Sequence, residues 1–219
     1  PQAAVDIPVM SAVYLDATSY KTCVAQKLPD VGSFTVFNHH NQVNCIQISQ
    51  CCRLMAVAEG PLLNLYILDG STKFSNGNFK STITTHRGNI MVLAISPNSV
   101  FIASGGVDGE VKVCHTEATC PIARFSLHIG GISALVYDKT SKLLASAGFD
   151  KMVYIWTIGR NLPIRALMGH NGPVTSIVFS DDSSHILTVS RDLTARSWDL
   201  ATGKCISMFY VGNSTPLAC

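Results

Sequence analysis

The sequence predicts an all-β fold assembled from one repeated unit of four short strands. Three observations predict it. His86, His128 and His170 stand 42 residues apart, and each is followed 22 residues later by an aspartate: Asp108, Asp150, Asp192. Further columns travel with that pair. A small hydroxyl stands four residues before each aspartate (Ser104, Ser146, Thr188), a glycine two after each histidine (Gly88, Gly130, Gly172), and Cys114, Trp156 and Trp198 six after each aspartate. Finally, short apolar runs rich in Val and Ile alternate with turns of Gly, Asp, Asn and Ser, which is a strand pattern and not a helical one.

The elements follow in order. In the unit 128–169 the runs are Ile132 to Tyr137, Leu143 to Ala147, Met152 to Trp156 and Pro163 to Leu167. The neighbouring units repeat them. Ile90/Leu93, Ile132/Leu135 and Val174/Ile177 share columns, as do Ile102/Ala103, Leu144/Ala145 and Ile186/Leu187, and Ile122, Ile164 and Ile206. Gly106-Val107-Asp108-Gly109 is a strong turn signal. Four strands in about 40 residues is the arithmetic of a β-propeller blade. The expected division is one partial β-propeller over 1–219. It has a blade remnant at 1–38, a degenerate blade at 39–85, blades at 86–127, 128–169 and 170–211, and the start of a next strand at 212–219. In the degenerate blade His39 takes the histidine column, but Val57 and Pro61 replace the hydroxyl and the aspartate, so its polar network is expected to be absent.

Composition narrows the function. The 219 residues are 47% hydrophobic, 14% charged and 8% aromatic, enough for a packed core. Net charge is +2 and no Lys/Arg block stands out, so charge does not support a nucleic-acid partner. Runs such as Ile90 to Ile95 are far short of the roughly 20 residues of a membrane span. Pro1-Gln2-Ala3-Ala4 lacks the features of a signal peptide, so a cytoplasmic or nuclear location is expected. The chain opens on proline in place of methionine, so processing, or a piece of a longer chain, is expected. Eight cysteines without a stapling pattern are then expected as reduced thiols.

Gly169-His170 followed by Trp198-Asp199 resembles the signature of the WD-repeat (WD40) β-propeller family almost unaltered. His128 to Trp156 has Leu127 for the glycine and Thr157 for the closing aspartate, while His86 to Cys114 lacks the tryptophan. The resemblance is strong over 86–211, weak over 39–85 and only suggestive over 1–38. It implies four-stranded antiparallel blades and, because such rings usually have seven, a partial ring. A five-bladed ring closed by 213–219 against 1–38 is the rival. It also implies structural tetrads. His128, Ser146, Asp150 and Trp156 form one; His170, Thr188, Asp192 and Trp198 form another; His86, Ser104 and Asp108 form a truncated third, since Cys114 is a weak donor.

Ser, His and Asp together also suggest a hydrolytic triad, but a triad is used once and this constellation occurs three times. No catalytic residue is expected. Neither is a metal: His39, His40, Cys45, Cys51 and Cys52 cluster without zinc-ligand spacing. Gly105-Gly106 and Gly130-Gly131 belong to no phosphate loop, and Lys73 to Lys80 is a weak nucleic-acid signal. No cofactor, membrane or small-molecule substrate is expected. The function expected is a non-catalytic scaffold for protein–protein interactions, binding protein subunits or peptide segments in a multisubunit assembly. The alternative is a subunit of a ribonucleoprotein or ribosome-assembly complex with RNA contacts. The expected partner-binding face is built from the turn columns Val107, Phe149 and Arg191 with Asn89, Gly131 and Pro173, which vary in type on a fixed frame.

Overall fold

The computed structural model describes residues 42–68, 79–84 and 86–212, and every regular element among them is a strand. The blade remnant, His39, His40, most of Lys73 to Lys80, and the tail from 213 that the five-bladed closure would use lie outside the described residues. Blade one comprises β1 (Val43–Ile48), β2 (Leu54–Glu59), β3 (Leu62–Ile67) and β4 (Phe79–Thr84). Blade two comprises β5 (Ile90–Ile95), β6 (Phe101–Gly106), β7 (Val111–His115) and β8 (Pro121–Phe125). Blade three comprises β9 (Ile132–Tyr137), β10 (Leu143–Gly148), β11 (Val153–Thr157) and β12 (Arg165–Leu167). Blade four comprises β13 (Val174–Phe179), β14 (His185–Ser190), β15 (Thr194–Asp199) and β16 (Cys205–Tyr210). Each sheet is an antiparallel meander in chain order. The first strands, β1, β5, β9 and β13, neighbour one another in sequence along the inside of an open arc, a partial propeller.

The core lies between blades, because each sheet is apolar on both faces. Ala145, Ala147, Val153, Ile155 and Leu167 of blade three pack on Val174, Ile177, Phe179, Ile186 and Trp198 of blade four. Ala94, Ala103, Val113 and Phe125 meet Ile132, Leu135, Leu144 and Trp156 across the preceding junction. Small residues of each second strand receive large ones from the next blade. At Gly105 the fit is tight enough that a Cβ would come within 2.6 Å of Ile132 Cγ2. Blade four departs from this: its second strand carries Leu187 and Val189 where the others carry Ala or Gly.

Every first strand carries an irregularity at the same place. The pairing register skips Asn44, Met91, Ser133 and Thr175, the second residue of β1, β5, β9 and β13. Such a bulge turns the extra side chain out of the ladder. Two of these side chains cross to the next blade. Asn44 Nδ2–H donates to the Ile90 carbonyl at 3.0 Å, and Ser133 Oγ–H donates to the Val174 carbonyl. Met91 has no donor to offer, and its side chain is exposed.

The turns repeat as well. Between first and second strands, Ser49, Ser96, Asp138 and Ser180 each accept the amide of the returning strand on a side-chain oxygen. Three residues on, Cys52, Ser99, Ser141 and Ser183 all adopt positive φ, between 54° and 60°. Neighbouring turns are linked: Cys51 Sγ lies 3.3 Å from Ser99 Oγ, and Ser141 Oγ accepts the Asn98 amide at 3.2 Å.

Candidate functional site

Three polar chains are built where each incoming loop meets its blade. In blade three, Trp156 Nε1–H donates to Ser146 Oγ at 2.8 Å. Ser146 Oγ lies 2.9 Å from His128 Nε2, and His128 Nδ1 lies 2.9 Å from both Asp150 oxygens. Asp150 also accepts the amides of Ile129 and Met152. Blade four repeats the wiring through Trp198, Thr188, His170 and Asp192, with the Asn171 and Thr194 amides on the carboxylate. In blade two, His86 joins Ser104 at 2.9 Å and Asp108 at 3.0 Å, and the buried Cys114 stands where the indole donor would be.

The directions of these bonds assign the protons. The indole N–H can only donate, so the hydroxyl accepts it and passes its own proton toward Nε2. Nδ1–H is then left to donate to the carboxylate. Burial keeps His86 and His170 below the ordinary imidazole range despite the carboxylates beside them. Burial alone would raise Asp108, Asp150 and Asp192. The histidines, the loop amides and, at Asp192, the Thr194 hydroxyl outweigh it and hold all three below the usual carboxylate range. Each hydroxyl–imidazole–carboxylate row sits inside a blade at identical spacing, and the hydroxyl is walled in by strands: Ser104, Ser146 and Thr188 are fully buried.

Blade one has Val57 and Pro61 in the hydroxyl and aspartate columns but is not without polar wiring. Asn64 Nδ2–H donates to Glu59 at 3.0 Å and Thr82 Oγ1–H donates to Asn64 Oδ1 at 2.6 Å, with Glu59 and Asn64 buried. The repeat columns gave no sign of it, because none of the three residues falls in them. Cys45 lies in β1 and burial pushes its thiol up to about 11. Cys51 and Cys52 lie in the turn that follows. Burial would raise Cys51, but hydrogen bonds from Ser49 and Ser99 turn the net shift downward.

The turn columns come together in pairs. Val107 N–H donates to Asn89 O at 3.0 Å, Phe149 N–H to Gly131 O at 3.0 Å, and Arg191 N–H to Pro173 O at 2.9 Å. Val107, Phe149 and Arg191 are exposed. The Phe149 ring partly folds back: a Cβ on Gly131 would lie 3.3 Å from Phe149 Cδ2 and 3.4 Å from Val107 Cα. Even so, Phe149 is 43% exposed, so the ring lies beside Gly131 of its own blade with one side open to solvent. Two residues on, each turn takes positive φ: Gly109 at 75°, Lys151 at 69° and Leu193 at 66°.

Comparison with known proteins bears on the whole frame. The family model for the WD domain, G-beta repeat, matches residues 77–115, 119–157 and 161–199. Each match starts at the outer strand of one sheet and ends at the third strand of the next, so family repeat and sheet are offset by one strand. A chain in a solved structure titled as the crystal structure of the mitotic checkpoint complex is similar in fold. It has a TM-score of 0.74 at 19% identity, covering 84% of this chain and 58% of that one. This chain therefore spans less than two thirds of that neighbour. No curated protein matches.

Proposed function

Since the chain belongs to the WD-repeat family, we propose that it is a non-catalytic scaffold that docks protein segments within a multisubunit assembly in the cytoplasm or nucleus. One observation carries the reading of the site. Val107, Phe149 and Arg191 are side chains of differing chemistry, held at equivalent points by identical backbone bonds above buried tetrads. The tetrads spend their polar groups on one another and fix the turns, leaving the side chains above them free to select a ligand. Phe149 is the anchor, as a rigid aromatic at the centre of an interface should be, and Arg191, in the equivalent turn of the next blade, supplies a cation.

The test is capture or titration of partners with wild type, Phe149→Ala and Arg191→Ala, each first confirmed as folded by circular dichroism. Loss of retained proteins with Phe149→Ala is the expected outcome; undiminished retention by both variants moves the site elsewhere.

A second reading, contact with RNA, is favoured by one observation. Arg87, Lys151 and Arg191 are exposed cations on the loops of this same face. A single-stranded oligonucleotide bound there would lose affinity steeply with salt. Binding of a peptide on Phe149 would change little.

A further inference from the structure

Arg196 lies in β15, four residues after Asp192, in the column held by Lys112 in blade two and Tyr154 in blade three. In blade two the cation has an acid: Lys112 Nζ lies 3.1 Å from Glu110, which also takes Arg124. Blade three has no cation there, and the Tyr154 ring lies edge-on to His128 with centroids 4.7 Å apart. Blade four keeps the cation and loses the acid. The columns of Glu110 and Arg124 hold Thr194 and Met208. Asp192 is taken up by His170, the Thr194 hydroxyl and the Asn171 amide. Arg196 Nε is buried without a hydrogen-bond partner, and no carboxylate pairs with the guanidinium among the described residues. Its Nη1 reaches over Gly169, where a Cβ would sit 2.9 Å from it. Met208 is paired with Arg196 across the sheet, and Tyr210, two residues on, shares that face. Tyr210 is 79% exposed and Met168, next to Gly169, is 67% exposed.

We propose that this notch receives the carboxylate of an aspartate or glutamate from a partner polypeptide, whose adjacent apolar side chain lies on Met208 and Tyr210. A guanidinium with its Nε buried and no anion beside it is an unfavourable arrangement. A carboxylate returns charge-assisted, bidentate bonds to it. The apolar rim excludes water from those bonds, which is what makes an ion pair at an interface count. The partner is defined by charge complementarity: one acid beside one apolar residue. This goes beyond the turn-face reading, since Arg196 is not among the six turn residues.

The experiment pans the full 219-residue chain against a random linear heptapeptide library displayed on phage, with wild type, Arg196→Gln and Phe149→Ala as baits. Expected is an enrichment of Asp or Glu next to Leu, Ile, Met or Phe, of roughly tenfold over the starting library. It should be lost on Arg196→Gln and kept on Phe149→Ala. No acidic enrichment on wild type, or the same enrichment on Arg196→Gln, overturns the proposal. Enrichment lost only on Phe149→Ala overturns it while leaving the turn-face reading intact. Thermal unfolding of Arg196→Met supplies a readout that needs no ligand. An unpartnered guanidinium predicts an unchanged or higher melting temperature; a fall of several degrees reveals an internal partner and overturns the proposal.

Discussion

Ser146 is the residue on which a whole blade turns, because it joins the indole of Trp156 to the imidazole of His128. Ser146→Ala leaves two buried polar groups without partners, whereas Ser104→Ala leaves one, since Cys114 stands in for the indole. At about 1–3 kcal/mol per stranded group, chemical denaturation should rank the Ser146 variant below the Ser104 variant, and equal losses would contradict the wiring. The same groups set a pH dependence. His86 and His170 titrate lower in the folded chain than unfolded, so stability is full above the unfolded imidazole value of about 6.5 and declines as pH falls below it. Asp108, Asp150 and Asp192 are also lowered, so a second decline begins below about pH 4 and runs down through their folded values. Melting temperature followed from pH 8 to pH 3 should fall in both windows, and a curve flat below pH 6.5 would refute the assignment. The columns of these tetrads were legible in the sequence because they repeat at fixed spacing, and their bonding was implied by the resemblance to WD-repeat blades. The Glu59–Asn64–Thr82 chain and the unpaired Arg196 were not, since the first falls outside the repeating columns and the second is defined by an acid missing in space.

Strand positions were legible to within a residue or two. Met152 to Trp156 became Val153–Thr157, and Pro163 to Leu167 shortened to Arg165–Leu167. The bulges were not legible, because Asn44, Met91, Ser133 and Thr175 share no chemistry that marks an extra residue. They make a prediction at the level of the strand. Ser133→Ala removes the crossing bond from blade three to blade four and should lower stability by about 1 kcal/mol. Met91→Ser places a hydroxyl at the equivalent point of the blade two–three junction and should raise the melting temperature, a gain absent if the bond fails to form. The turn after each second strand offers another test. Leu193 holds φ 66° where blade two has Gly109, and a left-handed conformation costs a side-chain-bearing residue about 1–2 kcal/mol. Leu193→Gly should therefore stabilise the chain by a few tenths to 1 kcal/mol after the added flexibility of glycine is set against it, as read from the denaturant midpoint.

Across the molecule, burial alternates with exposure according to which faces have a neighbouring blade. Leu167 is 1% exposed at the blade three–four junction, while Phe209, in the same column of the last blade, is 58% exposed. Leu167→Ala should cost about 2–5 kcal/mol. Phe209→Ala should change stability by less than about 0.5 kcal/mol, and a large loss there would mean that the outer face of blade four is covered. The offset between repeat and sheet ties the arc together, since each matched family repeat contributes strands to two blades. The change from alanine to Leu187 and Val189 on the second strand of blade four acts in the other direction, as a size filter. Faces that carry Ala56 and Ala58, or Ala145 and Ala147, accept Ile90 and Leu93, or Val174 and Ile177. A strand that packs on blade four meets Leu187 and Val189 where strands inside the arc meet Ala or Gly, so it needs smaller side chains at those points than Ile90, Leu93, Val174 or Ile177. The order of blades is thus written in side-chain volume, and growth of the arc past blade four is reserved for a surface with smaller residues at those points.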